Sequence, residues 1–195
     1  MGPVLTPERT TLVVMDVQER IVAAMPDEAR SEAVDNIIRL VQGARILGLQ
    51  LMVTEQYPTG LGRTIEPVAH ALEEFAERPE VISKVEFDAC QNTAFAAALE
   101  ASLSGGKEPG DRSIVVCGTE THVCVYQTAR ALLSRGYDVH IPYDAACSRR
   151  QDNHRIAQSM LERIGATITC TETVLFELLS EAGTEEFKQI SKLVR

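Results

Sequence analysis

Six short runs of apolar, largely β-branched residues recur along the chain, and segments with helical periodicity separate them. The runs are TTLVVMD (10 to 16), LQLMVTE (49 to 55), EVISKVE (80 to 86), SIVVCG (113 to 118), YDVHIPYDA (137 to 145) and ATITCTE (166 to 172). Each has the length and composition of a strand buried on both faces. Between them, EARSEAVDNIIRLVQGARILG reads as a helix with apolar residues at Val34, Ile37, Ile38, Val41, Ala44 and Ile46, and TAFAAALEASL, VCVYQTARALLSRG and NHRIAQSMLERIG read as further helices. Gly48, Gly136 and Gly165 stand where helix C-caps belong, just before new strands. Parallel strands joined by right-handed helical crossovers are what such alternation allows. The expected fold is α/β, doubly wound, with three α/β/α layers and a six-stranded parallel sheet. All 195 residues are read as one domain.

Two segments interrupt the alternation. QYPTGLGRTIEPVAHALEEFAERPE is a Gly- and Pro-rich loop with a short helix, placed to cover a site, and SGGKEPGD (104 to 111) is a polar loop. The tail ETVLFELLSEAGTEEFKQISKLVR reads as two helices broken near Gly183, packed on the sheet or on a second subunit. Its apolar positions are the basis for expecting a homo-oligomer.

Charge and cysteine content narrow the function classes. A formal net charge of −9 without a basic cluster argues against a nucleic-acid partner. No apolar run approaches the roughly 20 residues of a membrane span, and MGPVLTPERT lacks a leader pattern, so no membrane and a cytoplasmic location are expected. Gly2 with Thr6 meets the loose myristoylation pattern, but Pro3 and the lack of a basic cluster speak against it. Five cysteines at irregular spacing, with no CxxC, fit free thiols in a reducing compartment.

In open α/β sheets ligands bind beyond the carboxyl ends of the strands, where the strand order reverses. The first run ends in Asp16, the third carries Lys84 near its end, and the fourth ends at Gly118, followed by TETHVC. With Thr121 as N-cap, Cys124 falls at the third helical position, where unpaired N–H groups and the helix dipole favour thiolate. A neighbouring carboxylate can take the thiol proton, and a lysine can hold that carboxylate ionised. Each residue also has an ordinary structural role open to it: a strand-end turn for Asp16, a buried small side chain for Cys124, an exposed strand-end lysine for Lys84. Cys117, Cys147 and Cys170 read as structural. Zinc at Cys117, His122 and Cys124 is disfavoured, because these positions do not make a tetrahedron, and no GxGxxG or phosphate-loop lysine supports a nucleotide. No metal and no cofactor are expected.

The segments VVMDVQ, SKVEFDAC and VVCGTETHVCVYQTA resemble the isochorismatase-like cysteine hydrolase superfamily. The likeness continues through DAACSRRQDNHRIAQSMLERIGATITCTETVLFELL, which looks like the branch of small isochorismatase-domain proteins. The resemblance implies a catalytic triad of Asp16 as general base, Lys84 as electrostatic partner and Cys124 as nucleophile. It also implies a cis peptide at Thr119–Glu120 and an oxyanion hole from the backbone N–H groups of Glu120 and Cys124. Nicotinamidases of that superfamily carry a metal-binding Asp-x-His after the second strand. Here the region reads TEQYPTGLGRT, without histidine, and His70 stands alone. Isochorismatases that cleave a vinyl ether dispense with the thiol, so Cys124 places the expectation on the amidase side. Gln18, Tyr57 and Tyr126 are candidate substrate-pocket residues, with ordinary packing or surface exposure equally open to them.

The expected function is a cofactor-free cysteine hydrolase that cleaves a C–N bond of a small amide or ureido compound through a thioester. The alternatives are a catalytically weak binding or scaffold protein of the same fold, an isochorismatase-type hydrolase of a non-amide substrate, or a thiol redox sensor, for which no resolving cysteine is evident.

Overall fold

A computed structural model describes residues 4–103 and 108–195. The Gly2 pattern and the first half of the SGGKEPGD loop lie outside the described residues. In chain order the elements are β1 (Thr10–Met15), α1 (Glu19–Ala23), α2 (Asp27–Leu47), β2 (Gln50–Gln56), α3 (Pro58–Leu61), α4 (Glu66–Glu73), β3 (Val81–Lys84), α5 (Thr93–Ala101) and β4 (Ser113–Thr119). A π-helical turn (Thr121–Val125) follows, then α6 (Tyr126–Ser134), β5 (Asp138–Pro142), β6 (Ala146–Cys147), α7 (Gln151–Arg163), β7 (Thr167–Thr169), α8 (Thr171–Leu179) and α9 (Glu185–Leu193).

The sheet runs β3-β2-β1-β4-β5-β7, and every ladder is parallel. It has one strand more than the six expected. β6 is two residues long and pairs with the end of β4, Gly118 opposite Ala146 and Thr119 opposite Cys147. So short a strand leaves no periodicity in the sequence to detect.

Alternation along the central strands builds two cores. Leu12 and Val14 of β1 and Val115 and Cys117 of β4 face one side, with Ile37, Leu40 and Val41 of α2. Val13, Met15, Ile114 and Val116 face the other, with Phe95 of α5, Leu132 of α6 and Leu161 of α7. All of these side chains are at most 2% exposed, as expected of strands covered on both faces. The C-terminal helices, expected on the sheet or on a second subunit, pack over α2. Leu175 and Leu178 of α8 and Ile190 of α9 complete the core over α2, and Leu175 lies against Gly43, where a Cβ would stand 2.3 Å from its side chain. Phe176 of α8 remains partly exposed, with its ring edge-on to Phe187 of α9.

Gly48 ends α2 in the left-handed region, and Gly136 and Gly165 also have positive φ. Gly118 is constrained differently. With φ of 112°, it passes so close to β1 that a Cβ would lie 2.1 Å from the carbonyl oxygen of Met15. The strand order reverses between β1 and β4, so this contact sits at the switch point of the sheet.

Candidate active site

Asp16 is the first residue beyond β1 and takes a left-handed backbone conformation, φ 52°, uncommon for a residue with a side chain. The bend buries its carboxylate completely. Oδ1 accepts a hydrogen bond from the Thr54 hydroxyl at 2.7 Å, and Oδ2 accepts one from Lys84 Nζ at 2.7 Å. Thr119 donates its hydroxyl to the Asp16 carbonyl at 2.6 Å, tying the end of β4 to the end of β1. Lys84, the last residue of β3, has no exposed side-chain surface. An unpaired ammonium could not be held there, and Asp16 supplies the compensating charge.

The Thr119–Glu120 peptide is cis. Beyond it the chain enters the π turn, which carries Cys124, 5% exposed. The helix therefore begins differently from the expectation. Glu120, not Thr121, occupies the N-cap, and the Thr121 hydroxyl is hydrogen-bonded to His154 Nδ1 at 2.9 Å. Cys124 sits at the fourth position of a wide turn. His122, two residues before it, meets Ser148 Oγ at 3.0 Å and Asn153 Nδ2 at 3.2 Å, so both ring nitrogens face α7 and its approach. Among the described residues no group of three or more His, Cys, Asp or Glu side chains converges as metal ligands.

Burial, the largest cause, pushes the Cys124 thiol up to about 12; the Asp16 charge adds to the rise, and Lys84 opposes it. The expected tilt toward thiolate is reversed, because desolvation outweighs the helix start and Lys84 together. Alkylation of Cys124 by iodoacetamide, followed by peptide mass, is expected to rise about tenfold per pH unit between pH 7 and 9, since only the thiolate reacts. A rate that levels off below pH 9 would contradict a thiol held neutral by burial.

Cys124 opens onto a cavity of about 330 Å³. Gln56, Glu120 and Cys124 form its polar side, Ile21, Leu61, Phe87 and Val123 an apolar wall, and Arg20 and Arg149 also line it. Phe87 is 53% exposed. Arg149 donates its backbone N–H to Glu120 Oε1 at 3.0 Å, and the Arg20 guanidinium donates to the Gly60 carbonyl at 2.7 Å.

Asp16 and Lys84 are in contact, and their charges act on the Cys124 thiol, though the three residues come from different strand ends. Three expected pocket residues do not line the cavity. Gln18 is fully buried, with its amide bonded to the backbone of Gln56 and Gly62. Tyr57 is 54% exposed, with its ring over Gly60. Tyr126 packs at the edge of the α5–α7 core under the Arg130 guanidinium, 5.6 Å from its ring centroid. Sequence reasoning passed over Gln56, which the strand-end rule would have found, and Phe87. Ile21 and Leu61 sit on α1 and α3, helices too short to show a period.

The fold and these strand ends define an open parallel α/β protein with a buried acid–lysine pair and a thiol at its switch point. The isochorismatase domain model matches residues 10–173, and the chain belongs to the isochorismatase family. Isochorismatase domain-containing protein 1 of Danio rerio is 37% identical over 191 residues, 98% of this chain and 62% of that protein, so the chain spans less than two thirds of that relative. The "Secreted isochorismatase effector Isc1" of Phytophthora sojae is 36% identical, over 98% of this chain and 87% of the relative. Among solved structures, one described as the MAR1 ribonuclease of Caenorhabditis elegans has a TM-score of 0.86 and 31% identity, covering 98% of this chain and 92% of its own.

Proposed function

We propose that the protein is a cofactor-free cysteine hydrolase that cleaves a C–N bond in a small amide or ureido compound. The observation that carries this reading is a buried Asp16–Lys84 ion pair whose charges act on the Cys124 thiol, which itself lines a cavity. Because the thiol is neutral at rest, its proton passes to Asp16 as sulfur bonds to the substrate carbonyl carbon, rather than in a separate earlier step. Lys84 offsets the negative charge gathering on sulfur and oxygen. The carbonyl oxygen becomes an oxyanion, held by the backbone N–H groups of Glu120 and Cys124. When the tetrahedral species collapses, the C–N bond breaks and the Asp16 proton goes to the departing nitrogen. Asp16 then takes a proton from water as water attacks the thioester, and the thiol leaves with that proton.

The apolar wall extends the reading to the substrate's acyl part. A half-exposed Phe87 beside Cys124 gains most from an apolar group laid against it. Phe87→Ala is expected to raise KM about tenfold for amides of apolar acids, in keeping with the roughly 1.5–3 kcal/mol of burying such a side chain. It should leave kcat near its original value and KM for one- and two-carbon amides unchanged. An equal effect on all amides would remove Phe87 from substrate selection.

The test of the whole reading is a screen of small amides, ureas and carbamoyl compounds with mass detection on the peptide carrying Cys124. Turnover with an acyl mass trapped on that peptide is the expected result, and turnover that persists in Cys124→Ala overturns it. The ribonuclease name of the C. elegans structure raises RNA as a substrate, but a formal charge of −9 and a cavity of about 330 Å³ favour a small molecule. Homo-oligomerisation and a reducing, cytoplasmic location, where free cysteines persist, complete the proposal. Sedimentation at micromolar concentration tests the first.

A further inference from the structure

Lys84 spends all three of its ammonium hydrogens inside the protein. Nζ donates to Asp16 Oδ2 at 2.7 Å, to Gln56 Oε1 at 2.6 Å and to the Glu86 carbonyl at 3.2 Å. No N–H remains for a substrate, so Lys84 acts through its charge, and what fixes that charge in place matters. The Gln56 amide has only one workable orientation. Its Nε2 donates to the Val85 carbonyl at 2.7 Å, and turning the amide over would set two donors against each other at Lys84 and two acceptors at Val85. Gln18 in turn clamps the Gln56 backbone, accepting its N–H at 2.7 Å and donating to its carbonyl at 3.0 Å. Gln56 is 7% exposed and lines the same cavity as Cys124.

We infer that Gln56 is a positioning residue that locks the Lys84 ammonium between Asp16 and Cys124, with Gln18 holding Gln56 in register. The inference rests on the proposed reading of Asp16, Lys84 and Cys124 as the reacting set. It gives the last residue of β2 a task distinct from substrate contact, and a neutral one. A carboxylate there would accept from Lys84 equally well, but would add a negative charge beside a thiol that must ionise.

The experiment uses the full-length protein and needs no substrate. The rate of Cys124 alkylation by iodoacetamide is measured across pH 6 to 9, located by peptide mass, with melting temperature recorded alongside for wild type, Gln56→Leu and Gln56→Glu. Gln56→Leu frees one buried ammonium hydrogen, loosens Lys84 and is expected to slow alkylation at pH 8 about tenfold, the effect of one pKa unit on the thiol. Gln56→Glu restores the acceptor for Lys84 but sets a carboxylate oxygen against the Val85 carbonyl, so both variants should melt below wild type, and its alkylation should be at least as slow as that of Gln56→Leu. Loosening alone would expose a buried thiol and speed its alkylation, so slower labelling in a less stable variant is what a merely structural role would not produce. Rates of the folded variants within twofold of wild type overturn the inference, as does a rate that rises as melting temperature falls. If Gln56→Leu does not fold, Gln56→Glu decides alone. Wild-type protein that takes no label at Cys124 overturns the reading of the nucleophile, whereas normal wild-type labelling with unchanged variants removes only Gln56.

Discussion

Cys124→Ala is expected to lower turnover of a true substrate by about 10³-fold or more, the scale on which removing a nucleophile acts. The loss should fall on kcat, since the cavity walls and the backbone N–H groups stay in place. Cys117→Ala is the matched control. Seven residues earlier, Cys117 is fully buried in the α2-side core, on the opposite face of the sheet, with its Sγ 3.6 Å from the Val13 carbonyl. It has no path to the cavity, so its replacement should leave kcat unchanged and cost only packing. Steady-state kinetics on both variants gives the answer, and wild-type turnover by Cys124→Ala would end the case for a thiol nucleophile.

Lys84→Met should have the largest effect on stability. The substitution keeps the length of the side chain but leaves the Asp16 carboxylate, which has no exposed surface, without its counter-charge. Breaking a buried pair from one side costs about 3–5 kcal/mol, and for a chain of this size the melting temperature should fall on the order of 10 °C. The double variant Asp16→Asn with Lys84→Met should recover much of that loss, because no lone charge remains, although it stays inactive. Thermal melts of the two single variants and the double variant form a cycle that isolates the pair. Additive losses would mean that the two groups do not depend on each other.

The sequence disclosed the scaffold well where its signals were local and repeated. The strands and the long helices rest on apolar runs and on periodicity over many residues, and Gly48, Gly136 and Gly165 mark real turns because left-handed backbone favours glycine. The strand-end rule also led to Asp16 and Lys84, which are ion-paired. The remainder depends on tertiary contact. The neutral state of Cys124 follows from burial, which no spacing in TETHVC reveals. Gln18 reads as a pocket residue from its loop, yet its partners come from β2 and the loop after α3, 38 and 44 residues away. The C-terminal helices could be assigned in sequence to the sheet or to a second subunit but not to α2, because Gly43, which admits Leu175, lies 132 residues before it.

The contact at Gly118 has a consequence for how such a protein can diversify. Where β4 crosses the end of β1 there is no room for even a methyl group, and Thr119 is bonded to the Asp16 carbonyl at the same point. The acid and the turn bearing the thiol therefore share one rigid seam. Val123 of the apolar wall belongs to that turn, but Ile21, Leu61 and Phe87 are supplied by α1, α3 and the segment after β3, outside the seam. Changes in those pieces can reshape what enters the cavity without disturbing the groups beneath it, so related chains should differ in substrate by exchanging wall residues while the seam stays the same.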